Sequence, residues 1–418
     1  MWKTSFIQFL KIIRQNKFFT FLNLFGVSMT IMIVLIAAIK IESTIWPGGP
    51  EKNNDYMLFV DNQLMSTEDR MMMGGINRVM IDDYFAHMTS PKAIAFSSET
   101  PWSYFGDYGV EEFNLRNVNA GWWQVFDFEF AEGRPFGSSE VEQAVSVAVI
   151  DEKVANRFFP NQRASGQMLE VSGNMYKIVG VVSNVPSNCT KSFANIFIPY
   201  TLTEGYDKEL TQTGDFSMAF RGTSGKNLDE IKSEFENIRK RIAPLLEDDL
   251  NLFFGGPDNA VGSYLRGWEN PEQYVGNTKK MMNILGRFLL IMLLPAINLI
   301  SIQLIRIHER SEEIGVRKAF GATRWGLIKQ ILYENTLLTF FGALLGLLMA
   351  LVVVYGFQEF IIRMLFSDFG EGVKLSVNFG LFFVCLATSL VLSLISGILP
   401  AMKMSRLEAV EVLKGGQL

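Results

Sequence analysis

Side chains that commonly carry catalysis or bind metals are few and scattered in this sequence. His87 and His308 are the only histidines of the 418 residues, and Cys189 and Cys385 are the only cysteines. Zinc sites need such ligands at short, regular spacings, and no spacing of that kind occurs. Cys385 also lies inside an apolar run, which disfavours a disulfide with Cys189. We therefore expect no metal site, no catalytic triad and no resident cofactor.

Pairs of carboxylates are the remaining candidates for acid–base chemistry. Adjacent acidic residues occur at Asp82-Asp83, Glu111-Glu112 and Asp248-Asp249. No nucleophile or base accompanies them at a matching spacing, and neighbouring surface carboxylates are usually solvated. The sequence favours a chain that is not an enzyme.

A nucleotide site is also missing from the sequence. The stretch from Gly222 to Lys226 comes nearest to a phosphate-binding loop but lacks its spacing, and there is no dinucleotide-binding fingerprint. If the protein does energised work, we expect ATP to be bound by a partner subunit.

One charged segment, HERSEEIGVRKAFGATRWGLIKQ at 308–330, lies between two stretches without any charge, 288–302 and 335–356. Gly315 and Gly321 permit tight turns, and Thr323 is a suitable N-cap for a following helix. That helix is predicted to place Trp325, Ile328 and Leu332 on one face. Two interpretations stay open: a basic loop that only sets membrane topology, or a short transverse helix whose Phe320 enters a groove on another protein.

Four apolar stretches are long enough to cross a bilayer as helices, which needs about 20 residues. They are Phe18–Ile39, about Met282–Ile305, Asn335–Gly356 and Val377–Leu399. The first is longer than the apolar region of a signal peptide and is not followed by a suitable cleavage site, so we expect a retained anchor.

The distribution of Lys and Arg sets the expected orientation. Thirteen of them lie in the N-terminal segment, the 306–329 loop and the C-terminal segment, against Arg363 and Lys374 in the 357–376 loop. Both termini are therefore predicted to be cytoplasmic in a multi-pass membrane protein, with the large 43–280 region outside. Basic charge is not clustered on a folded domain, so we expect no nucleic-acid partner. Membrane lipid is an expected partner of the apolar helices. The predicted segments are 1–17 (cytoplasmic), 18–42 (helix 1), 43–280 (outer domain), 281–305 (helix 2), 306–329 (cytoplasmic segment), 330–357 (helix 3), 358–376 (short outer loop), 377–400 (helix 4) and 401–418 (cytoplasmic tail).

The 43–280 region has the patterns of an α+β domain with a β-rich lobe at about 115–200. Val145, Val147 and Val149 alternate as in a strand, 168–182 resembles a hairpin turning at Ser172-Gly173-Asn174, and 151–159 and 227–242 have helical patterns. The predicted fold is thus an α-helical membrane protein with four transmembrane helices in a 1+3 layout and a large α+β extracytoplasmic domain between helices 1 and 2.

An aromatic cluster at 122–130 admits two interpretations. Phe126, Phe128 and Phe130 alternate as one buried strand face would, which favours a core role. The adjacent Trp122 and Trp123 could instead contact a lipid or a partner.

The charged segment resembles the signature of the FtsX-like and MacB-like permeases of ABC transporters. The matching residues are Arg310, Glu313, Ile314, Gly315, Lys318, Ala319, Gly321, Ala322 and Thr323. The C-terminal sequence LPAMKMSRLEAVEVLKGG matches the family's tail at Pro400, Ala401 and Leu413, whereas Ser405, Glu408 and Lys414 depart from it. VFDFEFAEGRPF, VIDEKVANRFFP and YKIVGVVSNVP resemble pieces of the family's periplasmic core domain.

This resemblance implies a multi-pass permease of the bacterial inner membrane, with 43–280 as its periplasmic core domain and 306–329 as its cytoplasmic coupling segment. It would work with an ABC ATPase subunit and a second permease, as a homo- or heterodimer. A periplasmic adaptor or an outer-membrane factor is a further candidate partner. In the family, closure of the ATPase dimer is passed through the membrane helices to the outer domains, which is called mechanotransmission. The residues that would contact the ATPase are Glu309, Arg310, Glu312, Glu313, Ile314, Gly315, Arg317, Lys318, Phe320, Gly321 and Thr323.

Small residues recur at helical spacing in the last two apolar stretches. Gly342 and Gly346 form one such pair, and Ser389, Ser393 and Gly397 form a second stripe. Small residues let helices approach closely in lipid, so both stripes are predicted to pack within the bundle or across a dimer rather than to line a substrate path.

Efflux or envelope transport driven by the partner ATPase is the leading function that the sequence and the resemblance favour. The alternative is an ATPase-driven regulator of a periplasmic partner, such as a cell-wall hydrolase or a sensor. An anchored binding module without an ATPase is the third interpretation, in which Gly315 and Phe320 would be dispensable.

Overall fold

The structure is a computed structural model. It describes residues 17–106, 109–183, 185–203, 210, 212–246, 249–272, 276, 278–293, 297, 316, 320–366, 373, 375, 377 and 379–406. The chain divides into two compact units. One, here called the membrane unit, comprises Met1–Ile41, Met282–Leu365 and Leu375–Leu418. The other, the outer unit, comprises Glu42–Met281 and Phe366–Lys374.

All the regular secondary structure that is described in the membrane unit is helical. Its helices are α1 (Lys17–Ile45, which ends inside the outer unit), α8 (Arg324–Gly356), α9 (Gln358–Phe366) and α10 (Phe379–Arg406), together with residues 278–293. Three helices of the described chain are long and apolar enough to cross a membrane: Thr20–Ile45, Arg324–Gly356 and Phe379–Ile398. Of the predicted second span, 281–305, the structure describes residues 281–293 and 297.

The predicted short outer loop at 358–376 is not simply a loop. Its first nine residues form α9, because the apolar residues of QEFIIRMLF recur at helical spacing around Glu359 and Arg363. Ile361 is buried in this helix, whereas Phe360 and Met364 are exposed.

The outer unit is built on two sheets. The larger has nine strands in the order β1-β11-β4-β5-β10-β7-β9-β6, with β8 added to β9, and the smaller has the order β12-β2-β3. The β10–β5 and β7–β9 pairs are parallel, and the other pairs are antiparallel. The strands are β1 Met57–Val60, β2 Gln63–Ser66, β3 Met71–Gly74, β4 Ala93–Gly106, β5 Gly109–Val118, β6 Phe130–Gly133, β7 Val147–Asp151, β8 Met168–Val171, β9 Asn174–Val182, β10 Ile196–Pro199, β11 Phe216–Arg221 and β12 Asn251–Phe254.

Helices of the outer unit cover these sheets. They are α2 Arg78–Asp83, α3 Trp122–Val125, α4 Ser138–Glu142, α5 Glu152–Phe158, α6 Gly225–Ile242 and α7 Ala260–Arg266. The long helix α6 buries Ile231, Phe235, Ile238 and Ile242 against one core of the unit, as its pattern predicts. The α+β class of this domain is confirmed, although strands also lie outside the predicted β-rich lobe at 115–200.

Two local predictions need correction. The strand predicted from Val145 begins at Val147, and all five of its residues are buried, so it does not alternate. The aromatic stretch is a turn of helix followed by extended chain, because Trp122 and Phe126 are joined by a helical hydrogen bond; the strand starts only at Phe130. The core role holds: Trp122 and Phe126 are buried, and Trp123 packs against Phe197 and Phe136.

Candidate functional site

The described end of the predicted coupling segment is a turn leading into a capped helix. Gly321 has a φ of +89°, a conformation that favours glycine. The Thr323 hydroxyl accepts a 3.2 Å hydrogen bond from the Gly326 amide, and α8 begins at Arg324. The side chain of Phe320, just before the turn, is 88% exposed. The chain thus presents an apolar ring at a fixed position ahead of a helix N-terminus.

The predicted ATPase contacts are only partly covered by the structure. Described residues of the segment are Val316 and Phe320 to Thr323. The others lie outside the described residues: Glu309, Arg310, Glu312, Glu313, Ile314, Gly315, Arg317 and Lys318.

Of the three residues predicted to share one face of α8, Ile328 and Leu332 are half-buried and Trp325 is exposed. Leu327 and Ile331 are buried and pack with Ala322 and Ile328, whereas Trp325 is 71% exposed. Phe320 and Trp325 are therefore two exposed aromatic residues flanking the same turn.

Small residues of α8 fit closely against α1. A side chain at Gly342 would meet Val27 at 2.9 Å, and one at Gly346 would meet the Ser28 carbonyl oxygen at 2.7 Å. The two backbones therefore approach as closely as they do only because these positions lack a Cβ.

Helix α8 also contacts α10. Thr339 Oγ1 donates a 2.8 Å hydrogen bond to Ser393 Oγ, and a side chain at Gly397 would meet Asn335 Nδ2 at 2.6 Å. Ser389, the third member of the predicted stripe, is half-buried. Both predicted stripes thus lie against helices of the same chain.

The N-terminal half of α8 also buries polar side chains that the sequence patterns do not single out. Glu334 is 6% exposed and accepts a 3.2 Å hydrogen bond from Gln330 Nε2, and Asn335 is fully buried. A carboxylate that follows basic residues by a few positions resembles ordinary surface charge in a sequence, so only its burial distinguishes it.

A second polar cluster lies in the outer unit, where the chain leaves α1. Glu51 is 1% exposed, and its Oε1 accepts hydrogen bonds from the Lys191 amide (2.9 Å), the Ser192 amide (2.8 Å) and Ser192 Oγ (2.9 Å). Burial raises the pKa of Glu51 above its usual value, while the hydrogen bonds from Ser192 and Lys191 and the charge of Lys191 act in the opposite direction.

The loop at 186–192 and the side chain of Asn54 both form hydrogen bonds with the end of α1. Asn188 Nδ2 donates to the Ser43 carbonyl at 2.7 Å, and Asn54 Nδ2 donates to the Ile45 carbonyl at 3.0 Å. The thiol of Cys189 is buried, 3.7 Å from the Gly48 carbonyl oxygen. The contacts of Asn188 and Cys189 join residues 145 and 141 positions apart, so sequence patterns did not reveal them.

Two cationic side chains also belong to this cluster: Lys191, which is half-buried, and Arg116, which is buried. Lys191 Nζ lies 2.6 Å from Asp61 Oδ1, and Ser263 Oγ donates a 2.5 Å hydrogen bond to Asp61 Oδ2. The buried Arg116 pairs with Glu99 and donates to the Lys191 carbonyl at 2.7 Å. Burial lowers the pKa of Arg116 to about 10, although the charge of Glu51 opposes this.

Within the described part of the chain, no group of three or more His, Cys, Asp or Glu side chains could hold a metal ion. Members of two of the acidic pairs form ion pairs there. Glu111 pairs with Arg157 at 2.7 Å and Asp82 with Arg78 at 3.1 Å, both in exposed or half-exposed positions, and Asp248 lies outside the described residues.

Two family models match the sequence. The MacB-like periplasmic core domain matches residues 20–238, and the FtsX-like permease C-terminal model matches residues 287–409. The second match includes Phe320, Thr323 and the packed glycines of α8 and α10.

Similar proteins include the macrolide export ATP-binding/permease protein MacB of Mannheimia succiniciproducens, 24% identical over 277 residues. That alignment covers 65% of this chain and 40% of the relative. The uncharacterized ABC transporter permease YknZ of Bacillus subtilis is 26% identical over 302 residues, covering 72% of this chain and 69% of the relative. A solved structure, the periplasmic region of MacB from Actinobacillus actinomycetemcomitans, matches 48% of this chain and 89% of its own with 14% identity and a TM-score of 0.34. The chain therefore spans less than half of the MacB relative and about two thirds of the YknZ relative.

Proposed function

Because this chain belongs to the family of ABC transporter permeases with a MacB-like periplasmic core domain and an FtsX-like C-terminal region, we propose that it couples a separate ATPase to its outer domain. In this proposal, ATP is bound and hydrolysed by the ATPase subunit, which contacts the segment 309–323. The work performed is efflux or envelope transport by mechanotransmission, at the inner membrane, with a second permease as partner.

The observation that carries this proposal is the exposed ring of Phe320 beside the turn at Gly321 and the capped start of α8. This phenylalanine is 88% exposed four residues before the start of α8, and it offers an apolar anchor to a groove on a partner. Basic and acidic residues on either side of it in the sequence would add charge complementarity.

The packing of α8 supports the next step of the proposal. The glycine contacts with α1 and the hydrogen bond with α10 are close-packed, and close-packed helices move together rather than deform. Helix α1 is uninterrupted from Lys17 to Ile45, and its last residues belong to the outer unit. A displacement at Phe320 would therefore reach the start of the outer unit through α8 and α1.

Substitution of Phe320 tests the proposal directly. The full chain, purified with its ATPase in mild detergent and reconstituted, is compared with Phe320→Asp and with the control Phe105→Asp. Phe105 is 79% exposed in the outer unit, so the control introduces the same charge away from the proposed contact. We expect Phe320→Asp to lose most ATPase co-purification and stimulation, and Phe105→Asp to retain both.

Two results would contradict the proposal. If the wild-type chain captures no ABC ATPase, the coupling function is wrong. If Phe320→Asp binds and stimulates the ATPase like the wild type, the contact lies elsewhere. If ATPase coupling holds but cells lacking the chain show no transport defect and altered activity of a periplasmic enzyme or sensor, the regulatory alternative is correct.

A further inference from the structure

A cavity of about 180 Å³ lies inside the outer unit, between the end of α1 and helix α7. Part of its wall is apolar and part is polar. The lining residues that bear on its chemistry are Ile45, Glu51, Asn54, Phe59, Lys191 and Tyr264. Its volume is comparable to cavities of about 150 Å³ that accommodate benzene, so a ligand of about that size fits.

The carboxyl group of Glu51 has one oxygen without a hydrogen bond from any described residue. Its Oε1 accepts all three bonds from the 191–192 loop, and Oε2 accepts none. Asn54 Oδ1 is a buried acceptor in the cavity wall without a hydrogen-bond partner among the described residues. Burying an acceptor without a partner costs free energy, which a donor supplied by a ligand would restore.

Neither the Lys191 side chain nor the Arg116 side chain donates a hydrogen bond to Glu51 Oε2. Lys191 Nζ is paired with Asp61 at 2.6 Å, and its hydrogen bond to Glu51 comes from the backbone amide. Arg116 is directed to Glu99, Ser97 and the Lys191 carbonyl. Glu51 Oε2 is therefore available to a cationic ligand that enters the cavity.

The walls indicate what kind of cation fits. Phe59 already carries the Lys191 ammonium group 5.5 Å from its ring centroid, which shows that this ring accepts a cation beside it. Ile45 and Tyr264 supply further apolar surface. A bare calcium ion would need six or more oxygen ligands, far more than Glu51 and Asn54 provide.

We propose that this cavity binds a small organic ammonium ion, whose N–H group donates to Glu51 Oε2 while its apolar body lies against Phe59 and Tyr264. The site lies in the outer unit and is independent of the coupling segment. Ligand binding is therefore measurable on the full chain without any ATPase, and it can fail while the proposed function holds.

Calorimetric titration of benzylammonium chloride into the purified full chain tests this site. The variants are Glu51→Gln, which keeps the shape and removes the charge, and the control Glu111→Gln, which changes an exposed ion pair. We expect saturable binding that weakens at least about tenfold in Glu51→Gln and is unchanged in Glu111→Gln, because a desolvated charge pair is lost. Neutral benzyl alcohol should bind the wild type more weakly than benzylammonium.

A second variant covers the case in which Glu51→Gln does not fold. Ala260→Leu adds volume from the α7 wall without altering the carboxylate, and it should also weaken binding about tenfold or more. Equal affinity of Glu51→Gln and the wild type, unchanged binding in Ala260→Leu, or no binding to the wild type at millimolar ligand would each overturn the proposal.

Discussion

The Thr339 hydroxyl donates a 2.8 Å hydrogen bond to the Ser393 hydroxyl, and each residue is only 1% exposed. This bond joins α8 to α10 at a depth where water does not compete for either group. Hydrogen bonds between membrane helices are worth about 0.6 kcal/mol on average, with larger values near 1.7 kcal/mol.

Removing this bond should loosen the contact between the two helices. We expect Thr339→Val to lower the free energy of unfolding in detergent by about 1 kcal/mol, because Val keeps the shape and loses the donor. Thr388→Val is the matched control, since the Thr388 hydroxyl donates only to the Val384 carbonyl of its own helix. A double variant with Ser393→Ala should show a coupling energy; strict additivity of the two single changes would argue against the bond.

The close approach of α8 and α1 makes a prediction about Gly346. An alanine there would place its Cβ 2.7 Å from the Ser28 carbonyl oxygen and 2.9 Å from Ile31 Cβ, so the helices must separate. We expect Gly346→Ala to cost about 1–3 kcal/mol of stability. Gly356→Ala, in the same helix and with nothing within 4 Å, should be neutral or slightly stabilising. Thermal unfolding of the two variants in the same detergent separates overpacking from helix propensity.

Local chemistry explains which features the sequence reveals. The turn at Gly321, the cap at Thr323 and the hairpin between β8 and β9 depend on residues only a few positions apart, and each is present in the structure. Ser172 and Gly173 both have positive φ, as a two-residue hairpin turn requires.

Contacts between distant parts of the chain explain what the sequence does not reveal. Glu51 reaches Lys191 and Ser192 across about 140 positions, and no periodic pattern marks either end. The burial of Leu327 and Ile331 near the start of α8 is also not marked by the sequence, because apolar residues there occur on more than one face. Periodicity selects a buried face only when the other face is polar.

Alanine substitutions at two glycines with positive φ distinguish the cost of backbone strain from the cost of a steric clash. Gly173 has a φ of +82° and open space where a Cβ would stand, whereas at Gly133, with a φ of +66°, a Cβ would collide with the Val179 carbonyl and Gly180. We expect Gly173→Ala to cost about 1 kcal/mol from strain alone. Gly133→Ala should cost about 1–3 kcal/mol more. Equal losses in chemical unfolding would contradict the close approach of β6 and β9.

The ion pair between Arg134 and Glu140 predicts a pH dependence of stability. Arg134 donates to both carboxyl oxygens at 2.8 and 2.9 Å, and these bonds lower the pKa of Glu140 below its usual value, against a smaller effect of burial. A lowered carboxyl pKa contributes stability above the pKa of the unfolded state, about 4.3, and that contribution is lost as pH falls through the folded value. The melting temperature of Glu140→Gln should therefore lie below that of the wild type at pH 7 and approach it at pH 3. Glu170→Gln, at an exposed position of β8, serves as the control; a difference for Glu140→Gln that does not depend on pH would contradict the ionic origin.

The cap at Thr323 links the start of α8 to the proposed coupling. Its hydroxyl satisfies the Gly326 amide, and loss of an N-cap acceptor typically costs about 1 kcal/mol at the helix end. We expect Thr323→Ala to speed amide hydrogen exchange in the peptide 320–330, because the first turn of α8 opens more often. Thr323→Asn restores an acceptor at the same position and should restore slow exchange.

If α8 transmits movement from Phe320, ATPase stimulation in reconstituted membranes should fall in Thr323→Ala and recover in Thr323→Asn. Faster exchange with unchanged stimulation would mean that the ordered first turn of α8 is not needed for coupling.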